Sequence, residues 1–563
     1  MQEDFEKLFK LFKGKKYKDI ISLLENKTEE QTSRSLNILA VSRLLNSRDK
    51  NSFELALKEF KLAYLQEKNT NIGLEGLKNF INTTLSYYDF LKSYKDSSLS
   101  EKFFAEAVSF FKEAKVTFGY DPSLVSAIAK VFFKMNNLDK TLECYKALYE
   151  KNDLNIKTFM FWIFLNNYKN NWTQDQFYNY SVLINNYIKK YSSFEEFPEI
   201  KLQNKKIRLG FLSGDLKRKH SVTYFFKSIL LNYNKEKFEV ILILNNKLED
   251  ETTDSFKKLV NKTINIFNID DANALDLIRN EKIDVMFDLM GLTDQNRISL
   301  FANRLAPTQI SWLGYCNTTG LKQMDYLISD KNLILDNEEK FYYEKVIYLP
   351  QIWNCHCGFS IKKKFNPLPY STNKFITFGS FNNYSKINDE VVATWSQILK
   401  NVVSSKLILK SSLKKDITRL KKIFENYNVL NSVVFLETEK NFEDHLNLYN
   451  KVDIALDTFP YNGVTTSFEA IWMGVPVLTM KGYNFNSRCG ESINKNIGLE
   501  ELIALDKEDY LLKGVNLAND IEKLVILRKK LFNDISQSPL FDVNAYSKNF
   551  YTSIEEIVLK NAN

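Results

Sequence analysis

The chain has 563 residues, 44% of them hydrophobic and 26% charged, a globular composition long enough for roughly two to four domains. Its 77 basic and 69 acidic residues leave a net charge of +8 spread along the chain, with no basic helix or basic and aromatic stripe, so no nucleic-acid partner is expected. Five cysteines (Cys144, Cys316, Cys355, Cys357, Cys489) are too few for a disulfide framework, and no apolar run reaches the ~18 residues of a membrane span.

The opening MQEDFEKLFKLFKGKK lacks the basic start, apolar core and cleavage site of a signal peptide, so a cytoplasmic location is expected. Residues 1 to about 195 then read as helix after helix. ALKEFKLAYLQEKN, AVSFFKEAKVTFGYDP and TLECYKALYEKNDLN each place a small residue four positions before an aromatic: Ala56 and Phe60, Ala107 and Phe111, Thr141 and Tyr145. The last two pairs are 34 residues apart, the period of the tetratricopeptide repeat, whose stacked helices need a small residue where a neighbouring aromatic approaches. A plain helical bundle is the alternative.

After Pro198 the pattern changes. IRLGFLSGD, FEVILILN, INIFNI, IDVMFDLMG, QISWLG, DYLISD and KVIYLP are short apolar runs separated by helix-like segments. Pro367 and Pro369 interrupt the series, and FITFGSFN, KLILK, SVVFLE, VDIALD and VPVLTM form a second one. Such runs are strands of parallel sheets covered on both faces, which predicts two Rossmann-like domains facing a cleft. No GxGxxG follows any strand, which argues against a dinucleotide enzyme; two such lobes suit a nucleotide-sugar enzyme of the GT-B type. Between the series, Cys355-His356-Cys357 invites a zinc reading, but adjacent ligands with no second cluster make a poor tetrahedral set, so a loop or strand edge is expected there.

Three stretches carry candidate chemistry. In LGFLSGDLKRKHSVTYFF a strand ends near Asp215, and His220, one of only three histidines, follows in a loop where it could take a proton or touch substrate. In FGSFNNYSKIND a strand runs into Asn382 and Asn383, and Lys386 follows; a lysine at the carboxyl end of a strand can neutralise a leaving pyrophosphate. In LDTFPYNGVTTSFEAIWMGVP a strand ends at Asp457, a glycine loop turns the chain, and Thr465 and Thr466 open a helix. A helix start offers unpaired N–H groups and a positive dipole end to phosphate. Glu469 lies one turn on, on the face of Thr465, where a carboxylate can bind both hydroxyls of a ribose. A capped core helix is the plain alternative.

Together these stretches resemble the O-linked N-acetylglucosamine transferases, glycosyltransferase family 41, whose relatives include plant O-fucosyltransferases and bacterial protein N-glucosyltransferases. The resemblance is to a bacterial member and runs from residue 205 to about 510. It is carried by SGDLKRKHSVTYFF, FANRLAPTQISWLGYCNTTGLKQMDYLISD, EKVIYLP, FGSFNNYSKI and ALDTFPYNGVTTSFEAIWMGVPVLTM, with SRCGESI behind. It implies a helical repeat domain over 1–198, an acceptor-side lobe over 199–370, and a nucleotide-sugar lobe with terminal helices over 371–563. His220 would lie near the sugar, Lys386 would contact the diphosphate, and Asn383 would lie near the nucleotide. Thr465 and Thr466 would hold phosphates, Glu469 the ribose, and His445 would pack against the base. Where animal members carry a lysine before and an arginine after that histidine, this chain has Phe442 and Leu448, and Leu292 stands where many relatives have a histidine.

The reading that follows is an inverting protein glycosyltransferase, moving GlcNAc from UDP-GlcNAc to a serine or threonine of an acceptor polypeptide held along the helical repeats. Lys386 and the helix start would do a cation's work, so neither metal nor other cofactor is expected, and no DxD motif stands at a suitable strand end. The proton acceptor is His220, Asp215, Glu281 or the donor's own α-phosphate. The aromatic helices could also pair two copies of the protein. An O-fucosyltransferase using GDP-fucose, an N-glucosyltransferase using UDP-glucose and an inactive repeat scaffold are the alternatives.

Overall fold

The computed structural model describes residues 2–25, 31–93, 100–188, 206–218, 220–359, 361, 364–410, 414–437, 439 and 441–562; the boundary expected at Pro198 lies outside them. The chain forms two compact units, one of residues 1–154 with the segment 412–419, the other of residues 155–411 and 420–563.

In the first unit, helices succeed one another because polar caps repeatedly start them. Asp49, Asp121 and Asn137 each accept a bond from an N–H of the following first turn. The small and aromatic positions seen in the sequence are where the helices meet. Ala56, Phe60, Ala107, Thr141 and Tyr145 are all buried, and Phe111 packs against the same core. Gly76 lets two helices approach closely, since a Cβ there would stand 3.1 Å from the backbone nitrogen of Tyr64.

The second unit holds both parallel sheets. The first has seven strands, β1 (Ile207–Ser213), β2 (Phe238–Leu244), β3 (Lys262–Asn265), β4 (Val285–Asp288), β5 (Thr308–Ser311), β6 (Tyr326–Asp330) and β7 (Lys345–Leu349), in the order 3-2-1-4-5-6-7. The other six are β8 (Thr377–Ser380), β9 (Lys406–Lys410), β10 (Val433–Leu436), β11 (Ile454–Leu456), β12 (Val477–Met480) and β13 (Ile503–Ala504), in the order 10-9-8-11-12-13. In each sheet the order reverses between the first strand and the fourth, so β1/β4 and β8/β11 are the switch points at which such sheets bind ligands, outside the carboxyl ends of the strands. Only β13, two residues long, has no counterpart among the apolar runs of the sequence.

The final helix, Val543–Ala562, returns to the first sheet. Its Phe550 packs 5.6 Å from Phe287 of β4 and 4.9 Å from Trp312, and its Tyr551 hydroxyl donates to the Ile229 carbonyl at 3.0 Å. The helices Ile156–Asn166, Gln174–Val182 and Ile184–Ile188 also belong to this unit, bound to the loop after β5. Gln174 Nε2 donates to Asn317 Oδ1 at 3.1 Å, and Asn185 Nδ2 to the Gly320 carbonyl at 2.8 Å. Gly320 has φ +69°, and a Cβ there would lie 2.2 Å from the backbone of Ser181, so this junction admits only glycine.

Candidate active site

The polypeptide leaves β8 as Phe381-Asn382-Asn383 and turns through Tyr384–Lys386. The turn brings Lys386 back against the glycine loop, where its Nζ donates to the Asn462 carbonyl at 2.8 Å and lies 4.0 Å from the centre of the Tyr461 ring. Burial disfavours its ammonium and pushes its pKa down to about 8, with the nearby Asp457 carboxylate opposing. The two asparagines part company. Asn382 is buried and its Oδ1 accepts from Thr466 Oγ1 at 2.9 Å, whereas Asn383 is exposed and caps the turn by accepting from the Ser385 N–H at 3.0 Å.

β11 delivers Asp457 to the same place. This buried carboxylate gathers the loop around itself, accepting from the Gly463 N–H at 2.7 Å, the Thr458 N–H at 2.8 Å and the Thr479 hydroxyl at 2.8 Å. Burial nonetheless lifts its pKa to about 6. The loop needs glycine at Gly463 because a Cβ would meet Thr466 Oγ1 at 2.5 Å and Asn382 Oδ1 at 2.7 Å. The helix Thr465–Trp472 then starts without a side-chain cap, so its dipole end faces the loop that holds Lys386.

One turn along, Glu469 is buried and engaged. Its Oε2 lies 2.9 Å from His445 Nε2 and accepts from the Tyr449 hydroxyl at 3.0 Å. His445, in the short helix Phe442–Asn447, has its other nitrogen 2.5 Å from the Nζ of Lys410, the last residue of β9. The ring sits among Phe381, Phe442 and Tyr449, with centroids 5.8 to 6.1 Å away.

At the other switch point β1 ends in Ser213, and Asp215 and His220 follow. Asp215 Oδ1 is 3.3 Å from His220 Nε2, and His220 Nδ1 is buried with no partner. Burial holds the Asp215 carboxyl above its usual value and the His220 imidazole below its own, each shift opposed by the charge of the other group. Asp288, ending β4, accepts from the N–H groups of Met290 and Gly291, and burial pushes it up to about 6. Glu281 is elsewhere: it precedes β4, bonded to Lys262 at 2.6 Å, at the amino-terminal edge of the sheet. That position removes it as a proton acceptor, because the switch-point ligands bind at the opposite edge.

Aromatic side chains tie the lobes together around these groups. The helix Ser221–Leu230, which His220 precedes, places Tyr224 on Phe442 at 5.6 Å and Phe225 on Phe468 of the glycine-loop helix at 5.0 Å. Tyr168, following the helix Ile156–Asn166, lies on Tyr461 at 4.6 Å, so the ring that faces Lys386 is backed by another. His356 proves to be part of this packing, 4.0 Å from Phe359 with its Nδ1 accepting from the Gly358 N–H; burial drives its pKa to about 3.

The structure thus gathers Lys386, Thr465, Thr466, Glu469 and His445 at one switch point and His220 at the other. Asn382, Asp457, Tyr461, Tyr449 and Lys410 join them without having been singled out from sequence. Lys410 had a legible signal, since it ends the apolar run KLILK as a cation at the carboxyl end of a strand, the same criterion that marks Lys386.

Two Rossmann-like lobes with an anion-receptive switch point define a GT-B glycosyltransferase architecture. The sequence profile of glycosyl transferase family 41 matches residues 183–358 and 362–550, and the chain belongs to that family. A tomato protein described as a probable UDP-N-acetylglucosamine–peptide N-acetylglucosaminyltransferase, SPINDLY (Solanum lycopersicum), is 33% identical over 395 residues, 68% of this chain and 42% of its own length. The Arabidopsis thaliana protein SEC, described in the same terms, is 28% identical over 366 residues, 62% of this chain and 37% of its own. The chain therefore matches only about two-fifths of these relatives. A variant of the O-GlcNAc transferase of Thermobaculum terrenum has the same fold, with a TM-score of 0.78 at 22% identity over 94% of this chain and 99% of that one. Among the described residues no helix is long and apolar enough to cross a membrane.

Proposed function

We propose that this protein is an inverting protein glycosyltransferase that takes a sugar from a nucleoside diphosphate sugar, UDP-GlcNAc foremost, and passes it to a serine or threonine of an acceptor polypeptide. The observation that carries the reading is Lys386, a half-buried amine seated beside an uncapped helix start and the loop around Asp457. Its ammonium, present below about pH 8 though disfavoured by burial, gains from an incoming diphosphate, whose negative charge would hold it protonated. The names of the plant relatives support UDP-GlcNAc as donor.

In the proposed reaction the acceptor oxygen attacks the anomeric carbon while the bond to the diphosphate oxygen breaks. The electron pair leaves on the diphosphate, met by Lys386 and the first turn at Thr465 and Thr466. The hydroxyl proton goes to His220, which burial keeps neutral and Asp215 orients. Glu469 receives the ribose and His445 lies along the base; Asn383, exposed at the rim, is left to the outer edge of the nucleotide. The helical first unit would hold the acceptor chain.

The test is titration of UDP and GDP into the wild type and Lys386→Ala, with nucleotide release measured from UDP-GlcNAc, UDP-glucose and GDP-fucose. UDP binding that weakens in the variant, with turnover of UDP-GlcNAc, is expected. GDP binding with turnover of GDP-fucose would move the reading to a fucosyltransferase. Binding of neither at millimolar concentration would leave a repeat scaffold with an inactive sheet unit.

A further inference from the structure

The peptide unit between Asn462 and Gly463 is gripped at both ends. Its N–H donates to Asp457 Oδ1 at 2.7 Å, and its carbonyl accepts from Lys386 Nζ at 2.8 Å. The seat of Lys386 is therefore only as well placed as this one peptide plane. Residues 462 and 463 lie in neither helix nor strand, so no ladder of backbone bonds holds the plane and side chains must.

The side chain of Asn462 does so. It is fully buried, its Nδ2 donates to the Thr458 carbonyl at 2.9 Å, and its Oδ1 accepts from the Gly490 N–H at 3.1 Å. A carbonyl only accepts and a backbone N–H only donates, so both contacts demand the same orientation of the amide. The Thr458 hydroxyl braces the same turn by donating to the Tyr461 carbonyl at 2.7 Å. Gly490 comes this close because it has no side chain: a Cβ there would stand 2.8 Å from Asp457 Oδ2. It belongs to the helix Cys489–Lys495, whose Ser492 hydroxyl donates at 2.7 Å to Asp330 Oδ2 at the end of β6. The clamp on Asn462 is thus anchored in the first sheet.

We propose that Asn462 is a positioning residue for the donor: its side chain, pinned between Thr458 and Gly490, aims the backbone carbonyl that holds Lys386 for the diphosphate of a nucleotide sugar. The inference rests on the donor-site reading above. An ammonium has three N–H donors on a flexible stem. Spending one on a fixed carbonyl confines it to one place before the diphosphate arrives, so less ordering is left for binding to supply.

A double-mutant cycle tests it. The affinities for UDP and GDP are measured by calorimetry in the wild type, Lys386→Ala, Asn462→Ala and the double variant, and the nucleotide that the wild type binds is the readout. Asn462→Ala should weaken binding ~10-fold, the size of one misplaced charge-assisted hydrogen bond. The double variant should bind within ~2-fold of Lys386→Ala alone, because Asn462 acts only through the lysine. A merely structural asparagine would multiply the two losses. That product, or an unchanged affinity in Asn462→Ala, would sink this inference and leave the donor site standing. Should Asn462→Ala not fold, Thr458→Val takes its place in the cycle with the same two outcomes, since it removes only a hydroxyl from the same turn. Unchanged affinity in Lys386→Ala, or a wild type that binds neither nucleotide, would instead overturn the donor-site reading and this inference with it.

Discussion

The two switch points share a topology and differ in how their polar groups are spent. At β8/β11 the polar groups answer one another: Asn382 meets Thr466, Lys386 meets the backbone carbonyl of Asn462, and Glu469 meets both His445 and Tyr449. At β1/β4 they do not. His220 keeps a buried nitrogen without a partner, and its approach to Asp215 is a long 3.3 Å. On the proposed reading the first is a preorganised receptor for a fixed charge, which loses catalytic power if it has to rearrange. On the same reading the second keeps a free imidazole nitrogen, which a group that must accept and release a proton needs.

The largest expected effect breaks the receptor. Lys386→Ala should lower nucleotide release ~10²–10³-fold with the unfolding transition retained, as loss of one preorganised contact typically does. His220→Ala comes next, with kcat down ~10²-fold and donor KM little changed. An unaltered kcat there would assign the proton to Asp215 or to the donor's own α-phosphate and remove His220 from the contrast. Glu469→Ala should act mostly on binding, raising donor KM ~10-fold while kcat holds.

The pH profile of kcat/KM sharpens the same contrast. It should rise through the His220 pKa, which lies below the usual imidazole value, because the base must be unprotonated. It should fall through about 8, because the ammonium of Lys386 is present below that pH and lost above it. Lys386→Arg should remove the alkaline limb, and a limb that stays would detach it from this residue. The smallest effect belongs to Tyr168→Leu. Uncovering Tyr461 admits water toward Lys386, relieves desolvation and should move the alkaline limb upward, by less than about one pH unit.

What the sequence made legible was whatever sits on one continuous segment. Apolar runs mark all but the two-residue β13, and one 21-residue stretch carries Asp457, the glycine loop, both threonines and Glu469. Gly463 shows why such a stretch is so constrained, since three polar atoms crowd its missing side chain. Contacts assembled from distant segments were not legible. Nothing local tells that Lys410 meets a histidine 35 positions on, or that Tyr168 will lie on Tyr461. The neighbouring asparagines 382 and 383 look alike in sequence. Only the turn of the backbone decides that the first faces the threonine helix and the second the solvent.

The clasp at Gly320 bears on where the chain can be cut. The three helices between Ile156 and Ile188 lock onto the loop after β5 and bring Tyr168 onto the glycine loop. A fragment begun after residue 198, where the sequence changes character, would strip these helices away. It would leave Asn317 and Gly320 without their partners and bare one face of Tyr461. A fragment begun at Asn155 keeps all of them. The first cut that separates compact units therefore falls at Leu154, since the helices after it share one unit with both sheets.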